Sequence, residues 1–331
     1  MKALQQLKYG EILESIAFSE IEKPTIKKDE VLIETMAASI NPLDYKIING
    51  QLKAVRKYTF PVTMGHDISG KIVAIGKDVT GFKIGDEVYA YLNKQSSFAE
   101  FTAVNQRLLS LKPKNLSFEE AASLPLVSLA VSQVLKRGKL KMGETILIHA
   151  GSGGVGSLAI QMAKAMGAIV HTTTSTANVK WVKALGADSV IDYKTEDYKS
   201  TIKDVDMVFD TLGGNFTEDA FKVIKNGGRV ISLVGPVDEE TANRMKLNFI
   251  AKLFLSWKRR KVSKQAKLKS AYYSLVFMRA NNKQLNEVTK LVEAGKLKST
   301  IDQIFPFQDA INALLYVEKG RTKGKVVLKM K

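Results

Sequence analysis

The sequence predicts an α/β protein built in two parts, a β-rich barrel-like unit followed by a doubly wound parallel sheet. Three observations carry this. Residues 1–118 read as short β-branched runs separated by turns. From Thr145 onward, strand-like and helix-like runs alternate. Between the first such strand and the first such helix lies a cluster of glycines, in "HAGSGGVGSLAIQMAKAMG".

Each element follows in order. "DEVLIETMAASI" and "SGKIVAIGKDV" are β-branched strands, and "GFKIGDEVYA" sets a Gly-Asp turn before another. The pattern changes at "SFEEAASLPLVSLAVSQVLK", where Ser117 and Glu120 form an S-x-x-E capping box that opens a helix. "TILIHA" is then a strand, "VGSLAIQMAKAMG" a helix stopped by Gly167, "IVHTTT" a strand, "ANVKWVKALG" a helix stopped by Gly186, and "SVIDY" a strand. "VDMVFDTLGG", "TEDAFKVIKNGG" and "RVISLVGP" continue the alternation. Residues 246–270 are basic and apolar together, and "KQLNEVTKLVEAGKL" and "GKVVLKM" close the chain as a helix and a strand.

At 331 residues the chain is long for one core and suits two domains. It lacks a long uncharged apolar run, which excludes a membrane span, and "MKALQQLKYG" lacks the apolar core of a signal peptide. With no cysteine, disulfides, thiolate nucleophiles and thiolate zinc sites are excluded, and a reducing cytoplasm is the expected location. The net charge of +17 fits an anionic ligand or surface, or a lysine-rich exterior kept soluble by repulsion.

Gly151, Gly153 and Gly156 fit G-x-G-x-x-G in the context the pattern requires, after a strand and at the head of a helix. The first glycine allows the tight turn, the second lets backbone approach a pyrophosphate, and the third lets helix pack on strand. Phosphates then meet free N–H groups at a helix N-terminus. Dinucleotide units that prefer NAD carry an acid about 20 residues on to hold the ribose 2′-hydroxyl. Here "HTTTSTANVK" offers Ser175, Thr176, Asn178 and the cation of Lys180 instead. That set favours a 2′-phosphate, so the expected cofactor is NADPH.

With these motifs in hand the chain resembles the medium-chain dehydrogenase/reductase superfamily. The resemblance rests on "AGSGGVGSLAIQMAKAMGA", "LGADSVIDY", "DTLGG" and "GRTKGKVVL". It extends through "ASINPLDYKIINGQLK", "TMGHDISGKIVAIGKDVTGFKIGDEVYAYL" and "FAEFTAV". Within the superfamily it is similar to the zinc-independent quinone oxidoreductase and enone reductase branch. The resemblance implies a GroES-like catalytic domain over residues 1–118 and a Rossmann NADP-binding domain over 119–256. Residues 257–331 would return to the catalytic domain, and the chain would be a homodimer.

The resemblance also carries site residues over. Gly153, Gly154, Val155 and Gly156 match the pyrophosphate loop, and Ser175, Thr176 and Asn178 the 2′-phosphate segment, with Lys180 as a substitute cation. Tyr193 matches a tyrosine at the adenosine end. Leu233, Val234 and Gly235, with Phe277, Met278 and Arg279, match the nicotinamide half. Gly320, Arg321 and Lys325 match a phosphate-side contact, and Lys46 a lysine that reaches the cofactor. Asn41 stands where zinc-dependent relatives have their first cysteine ligand, and His66 matches their retained histidine. A lone histidine without thiolates is a poor zinc site, so no metal is expected. Asn41, Tyr45, His66 and Tyr273 are expected to line the substrate pocket, with Tyr45 and Lys46 as catalytic donors.

No Ser-His-Asp set or carboxylate pair is evident, and hydride transfer asks the protein mainly for orientation and electrostatics. The expected reaction is NADPH-dependent reduction of a quinone, or of the C=C bond of an α,β-unsaturated carbonyl, on a small hydrophobic substrate. The alternative is a cofactor-binding protein without turnover, associated with a membrane or nucleic acid. The basic stretch 246–270 raises that alternative, because cations there alternate with Phe249, Leu253, Phe254, Leu255 and Trp257. It reads either as a helix that caps the substrate cleft and keeps a solvated basic face, or as a weak contact for an anionic membrane surface. Nucleic acid is the less expected partner.

Overall fold

A computed structural model describes residues 1–53 and 57–331. In chain order the strands are β1 (Lys2–Gln6), β2 (Ile16–Glu20), β3 (Glu30–Ile40), β4 (Val62–Thr63), β5 (Asp67–Ile75), β6 (Glu87–Tyr91), β7 (Phe101–Asn105), β8 (Leu109–Leu111), β9 (Thr145–Ile148), β10 (Ile169–Thr174), β11 (Ser189–Asp192), β12 (Val205–Asp210), β13 (Ile224–Ser232), β14 (Tyr272–Leu275), β15 (Ile301–Pro306) and β16 (Lys325–Lys329). The helices are α1 (Ile12–Ser15), α2 (Pro42–Ile48), α3 (Phe118–Ala122), α4 (Pro125–Arg137), α5 (Gly154–Ala165), α6 (Val179–Ala184), α7 (Tyr198–Thr201), α8 (Asn215–Val223), α9 (Glu239–Arg244), α10 (Phe249–Leu268), α11 (Asn282–Glu293) and α12 (Ala310–Glu318).

Two compact units result, Met1–Leu129 with Arg279–Lys331, and Ala130–Met278. The first holds a seven-stranded sheet in the order β15-β16-β3-β5-β6-β8, with β7 also paired to β3, and a small β2-β1-β4 sheet. β3 organises the larger sheet. Its first half pairs with β7, its second half with β16, and register shifts after Leu32 and Thr35 bend it between the two partners. Val31, Ile33, Ile68, Ile72, Val88, Val104 and Leu109 fill the interior of the curved sheet. A second cluster packs α12 against Leu4, Ile40, Ile48 and Phe98.

The second unit is a six-stranded parallel sheet in the order β11-β10-β9-β12-β13-β14. Strand order reverses between β9 and β12, the switch point where such sheets open a crevice at their carboxyl ends. The strands alternate with helices as the apolar periodicity predicts, and Ile146, Leu147, Val170, Val208, Phe209, Val230 and Ile231 are fully buried in the sheet.

Both unit boundaries fall later than the sequence reading set them. The Ser117 hydroxyl does accept from the Glu120 N–H at 3.1 Å while Glu120 reaches back to the Ser117 N–H at 2.8 Å. The helix it opens, however, packs on β3 and β5, and Ser69 donates to the Phe118 carbonyl at 2.6 Å, so α3 stays with the first unit. At the other end β14 pairs in parallel with β13 from Arg229↔Tyr272 to Ser232↔Leu275, which keeps residues 257–278 in the second unit.

Candidate active site

In the second unit the glycine loop lies at the end of β9. Gly151 donates its N–H to the Thr173 carbonyl at 2.9 Å, and the Ala150 N–H reaches the Thr173 hydroxyl at 3.2 Å, so β10 holds the loop on its first side. Gly153 caps α5, whose N–H groups at Gly154, Val155 and Gly156 precede the first intrahelical bond, made by Ser157 to the Gly153 carbonyl at 2.9 Å. Gly153 and Gly156 differ sharply. A Cβ on Gly156 would sit 2.1 Å from the Ala150 carbonyl oxygen, so this glycine serves helix–strand packing. A Cβ on Gly153 would come no closer to the rest of the protein than 3.4 Å. Nothing in the chain itself crowds that position, and the donors around it suit an anion. The residues therefore fit a dinucleotide diphosphate.

The carboxyl end of β12 completes this side. The buried carboxylate of Asp210 accepts from the N–H groups of Leu212 and Gly213, each at 2.9 Å, and from the hydroxyls of Thr217 (2.6 Å) and Ser232 (2.8 Å). Ser232 in turn accepts from the N–H groups of Val234 and Gly235 at 3.1 and 2.7 Å. One carboxylate thus fixes both the "DTLGG" loop and the Leu233–Val234–Gly235 loop expected along the nicotinamide half. Asp210 has no role assigned from the sequence of "DTLGG" alone. An aspartate at a strand end followed by paired glycines was the available signal.

After β10, Asn178 is buried and donates to the Ser175 hydroxyl at 3.2 Å, while Thr176 and Lys180 are exposed. The third strand adds an acid that the second strand lacks. Register places Thr174 beside Asp192, and Asp192 is held below the usual carboxylate range by hydrogen bonds from the Thr176 side chain and the Lys194 N–H. Tyr193 presents an exposed ring, with the Lys194 ammonium 5.5 Å from its centre. Phe277 is exposed and Met278 half-buried at the end of this unit.

Tyr273 departs from its expected place in a substrate pocket. Its ring packs on the core beneath β13, and its hydroxyl donates to the Pro236 carbonyl at 2.6 Å; burial raises its pKa. It supports the Leu233–Gly235 loop from below. His149 is wholly buried, edge-on to Tyr198 and Phe216 at 5.0 and 5.5 Å between centroids. Burial lowers its pKa to about 4, so it is neutral.

The first unit carries a buried polar cluster at the start of α2. His66 Nδ1 lies 2.8 Å from Asp44, which also accepts from the Asn41 N–H at 2.7 Å. Asp67 accepts from Ser39 and Asn41 at 2.9 Å each and from the Leu126 N–H at 2.9 Å. The Lys325 ammonium donates to the Ile40 carbonyl at 3.0 Å and to the Asn41 side-chain oxygen, and stands 3.5 Å from Asp67. Burial pushes the Asp67 carboxyl up and the Lys325 ammonium down, and each charge opposes the shift of the other.

This cluster corrects three expectations. Lys325 is 6% exposed and bonded inward, so it is not a phosphate contact. Asn41 and His66 are 1% and 0% exposed with their side chains engaged, so neither offers an open pocket wall. The donor set also does not fit zinc. A cation already occupies the oxygens of Asn41 and Asp67, and among the described residues no three His, Cys, Asp or Glu side chains converge on a metal position.

Tyr45 and Lys46 lie farther along α2, both half-buried. Tyr45 packs beside the α12 cluster, and burial together with the Glu318 carboxylate raises its pKa. Gly320 follows α12 at φ +68°, a left-handed turn that ends the helix, and Arg321 beside it is exposed. Arg279 opens the returning segment and is exposed as well.

Comparison with known proteins agrees with this layout. Residues 27–114 match the alcohol dehydrogenase GroES-like domain, and residues 185–328 the zinc-binding dehydrogenase family. The chain is 36% identical to 2-methylene-furan-3-one reductase of Solanum lycopersicum, over 99% of this chain and 79% of that protein. It is 35% identical to the chloroplastic NADPH-dependent alkenal/one oxidoreductase of Arabidopsis thaliana, over the same shares. The solved quinone oxidoreductase of Coxiella burnetii superposes with a TM-score of 0.85 at 34% identity, covering 100% of this chain and 99% of that one. The chain therefore belongs to the medium-chain dehydrogenase/reductase superfamily, in the branch of quinone oxidoreductases and alkenal/enone reductases.

Proposed function

We propose that the protein uses NADPH to reduce quinones, or the C=C bond of α,β-unsaturated carbonyls, without zinc. The observation that carries this reading is the open position at Gly153, set among the free N–H groups that head α5. The names of the relatives, which specify enone, alkenal and quinone reduction, support the substrate class.

In this reading the N–H groups of Gly154, Val155 and Gly156 take the diphosphate, helped by the positive end of α5. Ser175, Asn178 and Lys180 take the 2′-phosphate. Thr176 is committed to Asp192, and that carboxylate limits the preference over NADH. The flat exposed face of Tyr193 suits the adenine. Leu233, Val234 and Gly235, with Phe277, Met278 and Arg279, are assigned to the nicotinamide half. Bound NADPH supplies a hydride.

The chain's own chemistry lies in α2. Tyr45 keeps its proton at neutral pH, because burial and Glu318 both disfavour the phenolate. It and Lys46 donate to the substrate oxygen on which negative charge develops. The α-carbon of an enone then takes a proton from water, or from Tyr45 with solvent restoring it. A quinone takes the same proton on oxygen. The protein works as a homodimer in the cytoplasm.

The test is NADPH oxidation by the purified chain, screened against quinones, short enals, long enones and acryloyl thioesters, with and without a metal chelator. Chelator-independent turnover is expected, with kcat/KM for NADPH on the order of tenfold or more above NADH, the yield of one charge-assisted contact. Binding without turnover of any acceptor would favour the non-catalytic reading. Equal use of NADH would remove the assignment of Ser175, Asn178 and Lys180.

A further inference from the structure

Helix α10 (Phe249–Leu268) presents a surface that reduction of a small substrate does not explain. Asn248 caps it, accepting from the Ala251 N–H at 2.9 Å. Along 20 residues only Val262 is buried, within the cluster that includes Phe221 and Ile224. Leu255, Arg259 and Ala266 share that inward side and are half-buried. Arg259 is fixed there, donating to the Val237 carbonyl at 3.1 Å and standing 3.7 Å from Glu239.

The outward side divides along its length. At about 100° per residue, Phe249, Ile250, Leu253, Phe254 and Trp257 fall on one face. All five are more than half exposed, from 53% at Phe254 to 79% at Phe249. The same face continues as Arg260, Lys261, Lys264 and Lys267, all exposed. Cations also stand over the exposed rings, Lys258 at 4.8 Å from Phe254 and Arg260 at 4.6 Å from Trp257. The helix carries seven Lys and Arg and no Asp or Glu.

We propose that α10 docks the protein on an anionic phospholipid surface. Its apolar first half enters the headgroup and acyl boundary, and its basic second half lies against the lipid phosphates. Trp257, at the junction, suits the interface, and Lys258 and Arg260 reach past the rings toward the headgroups. Charge complementarity selects this occupant. A second copy across a two-fold axis would set Arg260, Lys261, Lys264 and Lys267 near the same cations of its partner, in a chain whose net charge is already +17. A nucleic acid would pair the cations but leave Ile250 and Leu253 in water. No helix among the described residues is long and apolar enough to cross a membrane, so the contact is peripheral.

The test uses the full chain with Trp181→Phe, which leaves Trp257 as the single indole reporter. It is sedimented with phosphatidylcholine vesicles, with and without an equal part of phosphatidylglycerol, at about 0.05 and 0.5 M salt. Binding confined to the anionic vesicles is expected, weakened on the order of tenfold by the higher salt, with a blue shift of Trp257 emission. Phe254→Ser with Ile250→Ser should weaken vesicle binding by about tenfold at unchanged melting temperature. Lys264→Glu with Lys267→Glu should remove most of the salt-sensitive part. Absence of binding at the lower salt overturns the proposal. So does retention on duplex DNA without a blue shift on vesicles, or a dimer that shields Trp257 from iodide while vesicles do not bind. Turnover of soluble acceptors is measured separately, so either reading can fail alone.

Discussion

Asp67 receives three hydrogen bonds and still depends on Lys325 for its charge balance, because both groups are out of water. Replacing the lysine by Lys325→Met leaves a buried carboxylate unpaired, at a cost of about 3–5 kcal/mol in chemical denaturation. The deficit should shrink as pH falls, since a carboxyl whose folded pKa is raised takes up a proton and sheds the charge. Adding Asp67→Asn should restore most of the loss. His149 gives a pH signature of its own. Its folded pKa of about 4 lies below that of an unfolded histidine, so the unfolded state gains the proton first. Stability from this group is whole above roughly pH 6.5 and drains as pH falls toward the folded value. Between pH 6.5 and 5 that amounts to about 1.5 kcal/mol. His149→Leu should flatten the decline by that amount, measured as the difference in unfolding free energy at the two pH values.

At the scale of elements, the β9–loop–α5 segment separates two uses of glycine that sequence spacing treats alike. In Gly156→Ala the new methyl meets the Ala150 carbonyl, so α5 must shift; the melting temperature should fall by several degrees, and cofactor binding with it. In Gly153→Ala the methyl meets nothing closer than 3.4 Å. That variant should fold as the parent does, while its KM for NADPH rises on the order of tenfold or more. Equal KM values in parent and Gly153→Ala would place the diphosphate elsewhere. The Asp210 network acts on the neighbouring strands rather than on this segment. Its four hydrogen bonds tie the two loops that follow β12 and β13 to one buried carboxylate.

For the whole molecule, nucleotide binding to the folded chain alone must raise its stability. NADPH at a hundred times its Kd should add about 2.7 kcal/mol, read as a rise in melting temperature, and NADH at equal concentration should add less. Much of this protein was legible in its residues. Periodicity in "TILIHA", "IVHTTT" and "VDMVFD" located strands, and Ser117 with Glu120 located a helix start, because these are local preferences of backbone and side chain. Glycine spacing located the turn between β9 and α5 for the same reason. Contacts between distant segments could not be read that way. Lys325 looked like a phosphate ligand in "GRTKGK" until β16 paired with the end of β3 and buried its ammonium beside Asn41 and Asp67. Asp192 lies 16 residues after Thr176 in the chain, and parallel pairing of β10 with β11 brings it within hydrogen-bond reach. Tyr273 became a loop support only when β14 joined β13. The sequence by itself determined the order of elements, the glycine loop and the lack of thiolate ligands, all properties of neighbouring residues. Tertiary structure alone decided which charged groups are buried and paired, because desolvation depends on what the rest of the chain packs around them.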